Sequence, residues 1–97
     1  MPHYVAIVED SGPDKAVGLW FPDLPGCFSA GDTVDEALLN AGEAVLLYAE
    51  SLAMERRDLP TPRSVAALRE DPNVAGELRD HVVALIRYER RPAHAAE

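Results

Sequence analysis

Seventeen carboxylates, three histidines and one thiol are the groups of this 97-residue chain with chemistry to offer. Two-metal hydrolysis of a phosphodiester needs several carboxylates converging on the ions. Glu9, Asp10, Asp32, Glu36 and Glu43 are the acids available for that work. Glu9 and Asp10, however, close the apolar run from Val5 to Val8 beside a turn, where a solvated edge charge is the simpler role. His3, His81 and His94 stand far apart, without the short spacings of a metal site. Cys27 has no partner for an intramolecular disulfide and falls in or beside a strand. It is expected to be a small buried filler rather than a nucleophile. No phosphate-cradling glycine loop, Ser-His-Asp order or Cys-x-x-Cys occurs. The chain therefore reads as non-catalytic, with no cofactor or metal expected. Asp23 stands apart from the other acids. It lies between Pro22 and Pro25, on a loop stiffened by fixed φ angles, where it is either a partner contact or a solvated turn residue.

The elements that position these groups follow from the local sequence. Residues 4–9 are β-branched and aromatic, which favours a first strand. Ser11-Gly12-Pro13-Asp14 is a turn cluster, and residues 16–21 form a second strand, antiparallel to the first. Pro25-Gly26 suits the central positions of a type II turn, where glycine accepts φ > 0. Residues 27–30 make a brief third strand. Thr33-x-x-Glu36 is a capping box for a helix from 34 to about 54, and Asp35 and Glu36 put negative charge in its first turn. Leu38, Ala41, Val45, Tyr48 and Leu52 form the buried stripe, widened by Ala37, Ala44 and Leu47. Leu39 and Leu46 lie off it and either widen the core face or meet a partner. Leu59-Pro60-Thr61-Pro62 must be extended. Ser64 caps a short helix over 65–69, closed by Asp71-Pro72, while 73–80 is ambiguous between loop and a further helical turn. Residues 81–89 read as a fourth strand, and a right-handed crossover predicts it beside the first strand and parallel to it. The fold class is thus α+β: a three- to four-stranded sheet in the order β-β-β-α-β, with one main helix on one face.

Ninety-seven residues suit one small domain, here 1–91, followed by a tail over 92–97, and a core of this size favours a homo-oligomer. No apolar run approaches a membrane span and no signal-peptide pattern follows Met1, so a cytoplasmic protein is expected. Charge is unevenly spread: residues 1–60 hold 11 acidic and 3 basic side chains, net −8, whereas 61–97 hold 6 of each. Phosphate binding needs a basic footprint, so free nucleic acid is an unsuitable ligand for the first sixty residues. An acidic surface attracts a basic protein instead, or simply keeps the chain soluble.

The run FPDLPGCFSAGDTVDEAL, the helix ending in YAESL and the later LPTP resemble the HicB-like antitoxin domain. The matching positions are Pro22 through Cys27, Gly31 through Thr33, Glu36-Ala37 and Leu59 through Pro62. The resemblance covers about residues 4–62 and implies a reduced ribonuclease H-like sheet. It also implies a type II toxin–antitoxin role, in which the partner is a HicA-like toxin: a small basic ribonuclease whose active surface is occluded. On that reading Asp23 is the leading contact, with Asp32, Asp35 and Glu36 beside it. Many members of the family carry a further operator-binding module for which 97 residues leave no room, so no direct nucleic-acid binding is expected of this chain. The alternatives are a solitary HicB-like oligomeric regulator, or a small-ligand-binding domain with a pocket near Trp20 and Phe28. A metal-dependent ribonuclease H-like nuclease ranks below both.

Overall fold

A computed structural model describes residues 3–88. Its elements are β1 (His3–Glu9), β2 (Val17–Trp20), β3 (Phe28–Gly31), α1 (Val34–Met54), α2 (Val65–Arg69), α3 (Ala75–Asp80) and β4 (Val82–Arg87). The strands form one sheet in the order β3-β2-β1-β4. The tail expected over 92–97, and the end of the domain at 91, lie outside the described residues. Among the described residues no helix is long and apolar enough to cross a membrane.

β1 is central and buried on both faces, which is why its sequence is a nearly continuous apolar run rather than an alternation. Tyr4, Ala6 and Val8 face the core that α1 covers, together with Val17, Leu19 and Ile86. Val5 and Ile7 face the opposite side, where Leu68, Val74 and Leu78 of the α2–α3 segment pack on them. The sequence predicts one covering helix; the second face is closed by two short ones.

The expected parallel pairing of the last strand is corrected. β4 runs antiparallel to β1, from Val8↔Val82 to His3↔Arg87. The chain leaves α1, crosses the second face through α2 and α3, and re-enters the sheet beside the end of β1 rather than its beginning. From there it can only run back along β1.

The start of α1 matches the capping pattern with one variation. The Thr33 hydroxyl accepts from Glu36 N at 3.1 Å, but the Glu36 carboxylate accepts from Asp32 N at 2.8 Å, one residue earlier than a standard box. Ala37, Ala41, Val45 and Leu52 are buried. Leu38 and Tyr48 are half-buried, whereas Leu47, expected to widen the stripe, is 56% exposed and Leu39 is 77% exposed. The small residues at 37 and 41 let α1 lie close to the sheet, and a narrow contact leaves the flanking leucines outside. The helix ends in a Schellman motif: Arg57 N donates to Leu52 O at 2.8 Å and Arg56 N to Ala53 O at 2.9 Å. Arg56 takes the left-handed position, φ 59°, where glycine is usual.

Candidate functional site

The loop between β2 and β3 is built from two successive turns. Leu24 N donates to Phe21 O at 3.2 Å and Cys27 N to Leu24 O at 3.0 Å. Gly26 has φ 84°, as the type II turn over Leu24-Pro25-Gly26-Cys27 requires. Leu24 is completely buried and pins the loop from beneath. Tyr48 of α1 donates its hydroxyl to Pro25 O at 2.8 Å and pins it from the side. Cys27 is buried, and burial pushes its thiol up to about 11, so it is a poor nucleophile in the folded chain.

Asp23 does not project from the loop tip as a free carboxylate. Its side chain is only 8% exposed and accepts from Arg63 N and Arg63 Nε, both at 2.7 Å. Arg63 also reaches Asp71 at 3.0 Å. This links the proline loop to the extended segment after α1 and to the end of α2. The Asn73 N–H and then the Arg63 guanidinium hold the Asp71 carboxyl below its usual range, and the two aspartates raise Arg63. Nearby, Tyr4 donates its hydroxyl to Pro60 O. Burial, then Tyr88 and Asp23, push that phenol upward.

Asp32, Asp35 and Glu36 are brought together at the start of α1, and all three are exposed. Tyr48, which touches the proline loop, lies twelve residues further along the helix, or about 18 Å at 1.5 Å per residue. The four acids singled out by sequence therefore do not form one cluster. Three make an acidic helix end, and the fourth braces the loop.

Two hollows are open to solvent, one at the acidic end and one further along α1. One lies between the β1–β2 turn and the helix start, lined by Asp10, Pro13, Asp32 and Thr33 among others. The other is a shallow, open groove between β3 and α1, lined by Phe28, Ser29, Ala30, Asn40, Ala44 and Leu47, with Glu43 on its wall. Phe28 is 69% exposed. Asn40 donates to Ala30 O at 2.8 Å and Ser29 donates its hydroxyl to Ala37 O at 2.7 Å, so side chains fix the strand to the helix across the groove. An apolar floor with acidic surroundings suits a basic protein surface; its openness does not suit an enclosed small molecule. The sequence marked Phe28 only as part of a pocket with Trp20. The missed signal was that a short strand ahead of a helix start lies at a sheet edge, where alternate side chains lack cover.

A family model described as HicB_like antitoxin of bacterial toxin-antitoxin system matches residues 4–93. A Haemophilus phage HP1 protein, an uncharacterized 14.9 kDa product of the rep-hol intergenic region, is 38% identical over 65 residues. That match covers 67% of this chain and 46% of the phage protein, so the chain spans about half of that relative's length. A UPF0150 protein of Thermoplasma acidophilum is 40% identical over 60 residues, 62% of this chain and 84% of the relative. Among solved structures, the N-terminal domain of the Burkholderia pseudomallei antitoxin HicB superimposes with a TM-score of 0.70 at 31% identity, covering 91% of this chain and 99% of that one. A chain from a HicA3 and HicB3 toxin-antitoxin complex gives 0.69 at 26% identity, with the same coverage.

Proposed function

This chain belongs to the HicB-like antitoxin family, and from that premise we propose that it binds and masks a small, basic, HicA-like toxin that cleaves mRNA. Its role is then inhibition by occlusion in the cytoplasm, not catalysis. The observation that carries this reading is the exposed acidic start of α1, Asp32, Asp35 and Glu36, with the open groove of Phe28 and Leu47 further along the same helix. The acids steer and orient a cationic partner, and the apolar residues supply area to bury. Asp23 contributes by holding the proline loop through Arg63, because a preorganised loop loses little entropy on binding.

The test is binding of a small, basic HicA-like protein, measured for the parent and for Asp32→Lys/Asp35→Lys at two salt concentrations. Glu36 is left in place because it caps the helix. Charge reversal is expected to weaken binding at least tenfold, mainly through slower association, and to flatten the salt dependence. Unchanged affinity moves the contact away from the helix start. A parent that binds no such protein overturns the antitoxin reading. Structured RNA incubated with this chain and Mg²⁺ or Mn²⁺ is expected to stay intact.

Self-association belongs to the same proposal. Both sheet edges carry exposed apolar side chains: Phe28 on β3, and Val82 and Leu85 on β4. Unprotected edges of this kind favour pairing with a second copy. Light scattering at micromolar concentration is expected to give at least a dimer, and a monomer removes this part of the proposal.

A further inference from the structure

Three side chains that are scattered in the sequence meet where β1 ends and β4 begins. Glu9 closes β1, Glu77 lies in α3 and His81 follows α3 directly. One ligand atom of each lies within 4.8 Å of the other two, and all three residues are half-buried. We propose that Glu9, Glu77 and His81 form a binding site for one divalent transition-metal ion of the zinc class.

The geometry is already close to coordination. Bonds of about 2.0–2.1 Å arranged tetrahedrally place ligand atoms roughly 3.3–3.4 Å apart. Glu77 Oε1 and His81 Nε2 are 3.4 Å apart. Their i,i+4 relation puts both side chains over the same side of one helical turn. Glu9 comes from a different element and is oriented independently, since its Oε2 accepts from Trp20 Nε1 at 2.7 Å. Outer hydrogen bonds of this kind set the direction of a metal-binding carboxylate. A carboxylate has lone pairs enough to keep Trp20 and also bind a cation.

The charge balance points the same way. Two carboxylates this close repel unless a cation lies between them. Among the described residues the nearby Arg79 is paired with Asp80 instead. One imidazole and two carboxylates form a mixed nitrogen and oxygen set, which favours Zn²⁺, Co²⁺ or Ni²⁺ over Ca²⁺. Three protein ligands leave a fourth position for water. A bound ion would also fasten the α3 layer to the end of the central strand.

The competing explanation is an ordinary Glu77–His81 ion pair beside a glutamate occupied only by Trp20. The experiment uses the tag-free, chelator-treated full chain, titrated with Co²⁺ and then displaced with Zn²⁺. Trp20 is the sole tryptophan and reports from one bond away. A saturable quench at one equivalent is expected, with a visible Co²⁺ band that Zn²⁺ abolishes. Glu77→Gln and His81→Ala should each weaken binding at least tenfold with unchanged far-UV circular dichroism, while His3→Ala should not. In the parent, the His81 imidazole resonances should shift on adding Zn²⁺, a readout that needs no variant. No saturable response up to about 1 mM, at which binding is worth only ~4 kcal/mol, overturns the site. Equal affinity in both folded variants, or an unmoved His81 resonance, does the same.

Discussion

Gly31→Ala is expected to lose about 3 kcal/mol of stability, read as a lower denaturation midpoint at unchanged slope. A Cβ at this position would lie 2.7 Å from Ala37 N, 2.7 Å from Glu36 Cβ and 2.9 Å from Glu36 C. Carbon contacts are comfortable at about 3.5–4.0 Å, and these atoms belong to the first turn of α1, so no flexible side-chain end can swing away. Overpacking costs about 1–3 kcal/mol, and immovable backbone places this case at the upper end. A domain of this size has roughly 5–15 kcal/mol in all. The control is Gly42→Ala, which meets nothing within 4 Å and sits inside α1, where alanine is the better helix former by about 1 kcal/mol. One glycine-to-alanine change should cripple the fold and the other should strengthen it. Equal stability of Gly31→Ala and the parent would mean that the close approach of β3 to α1 is absent.

The second large effect is expected from Leu24→Ala. Leu24 is completely buried within a loop that has a proline on either side, and its backbone takes part in both turn hydrogen bonds. Truncation of a buried leucine costs about 2–5 kcal/mol, according to how far the cavity collapses. For a domain of this length that lowers the thermal midpoint by at least about 10 °C. A second readout is local. Cys27, three residues on, has its thiol held near 11 by burial; in Leu24→Ala it should alkylate faster at pH 8 than in the parent. Pro25→Ala, at an exposed position, should change both readouts little. If Leu24→Ala melts with the parent, the loop is not anchored through this side chain.

These two positions show what the sequence makes legible. The Thr33 N-cap, the Pro25-Gly26 turn and the Ser64 cap are local signals within four residues, and each appears in the structure where its chemistry requires it. Periodicity locates the stripe of α1 but not its width, so it predicts Leu47 on a face that this residue does not cover. The direction of β4 depends on which end of β1 the α3 segment reaches, a long-range fact with no local signature. Asp23 and Arg63 are forty positions apart, and nothing near Asp23 announces its partner, so a braced carboxylate looked like a presented one. Glu77 and His81 did carry a signal in their i,i+4 spacing. It is masked because Glu77 belongs to a stretch, 73–80, whose sequence is ambiguous between loop and helical turn.

The antiparallel pairing of the first strand with the last has a consequence for synthesis. β1 is the most apolar strand and emerges first, yet the partner that completes it, β4, is translated nearly eighty residues later. At about 5–20 residues per second, β1 waits roughly 4–16 s for that partner. Through this interval the nascent chain has an open strand edge that can pair with other chains or be held by a chaperone. Closure then joins almost the whole length of the domain in one late step, the long-range topology that folds slowly. A protease that cuts between α1 and β4 would therefore not trim the domain. It would separate the central strand from the strand that holds it.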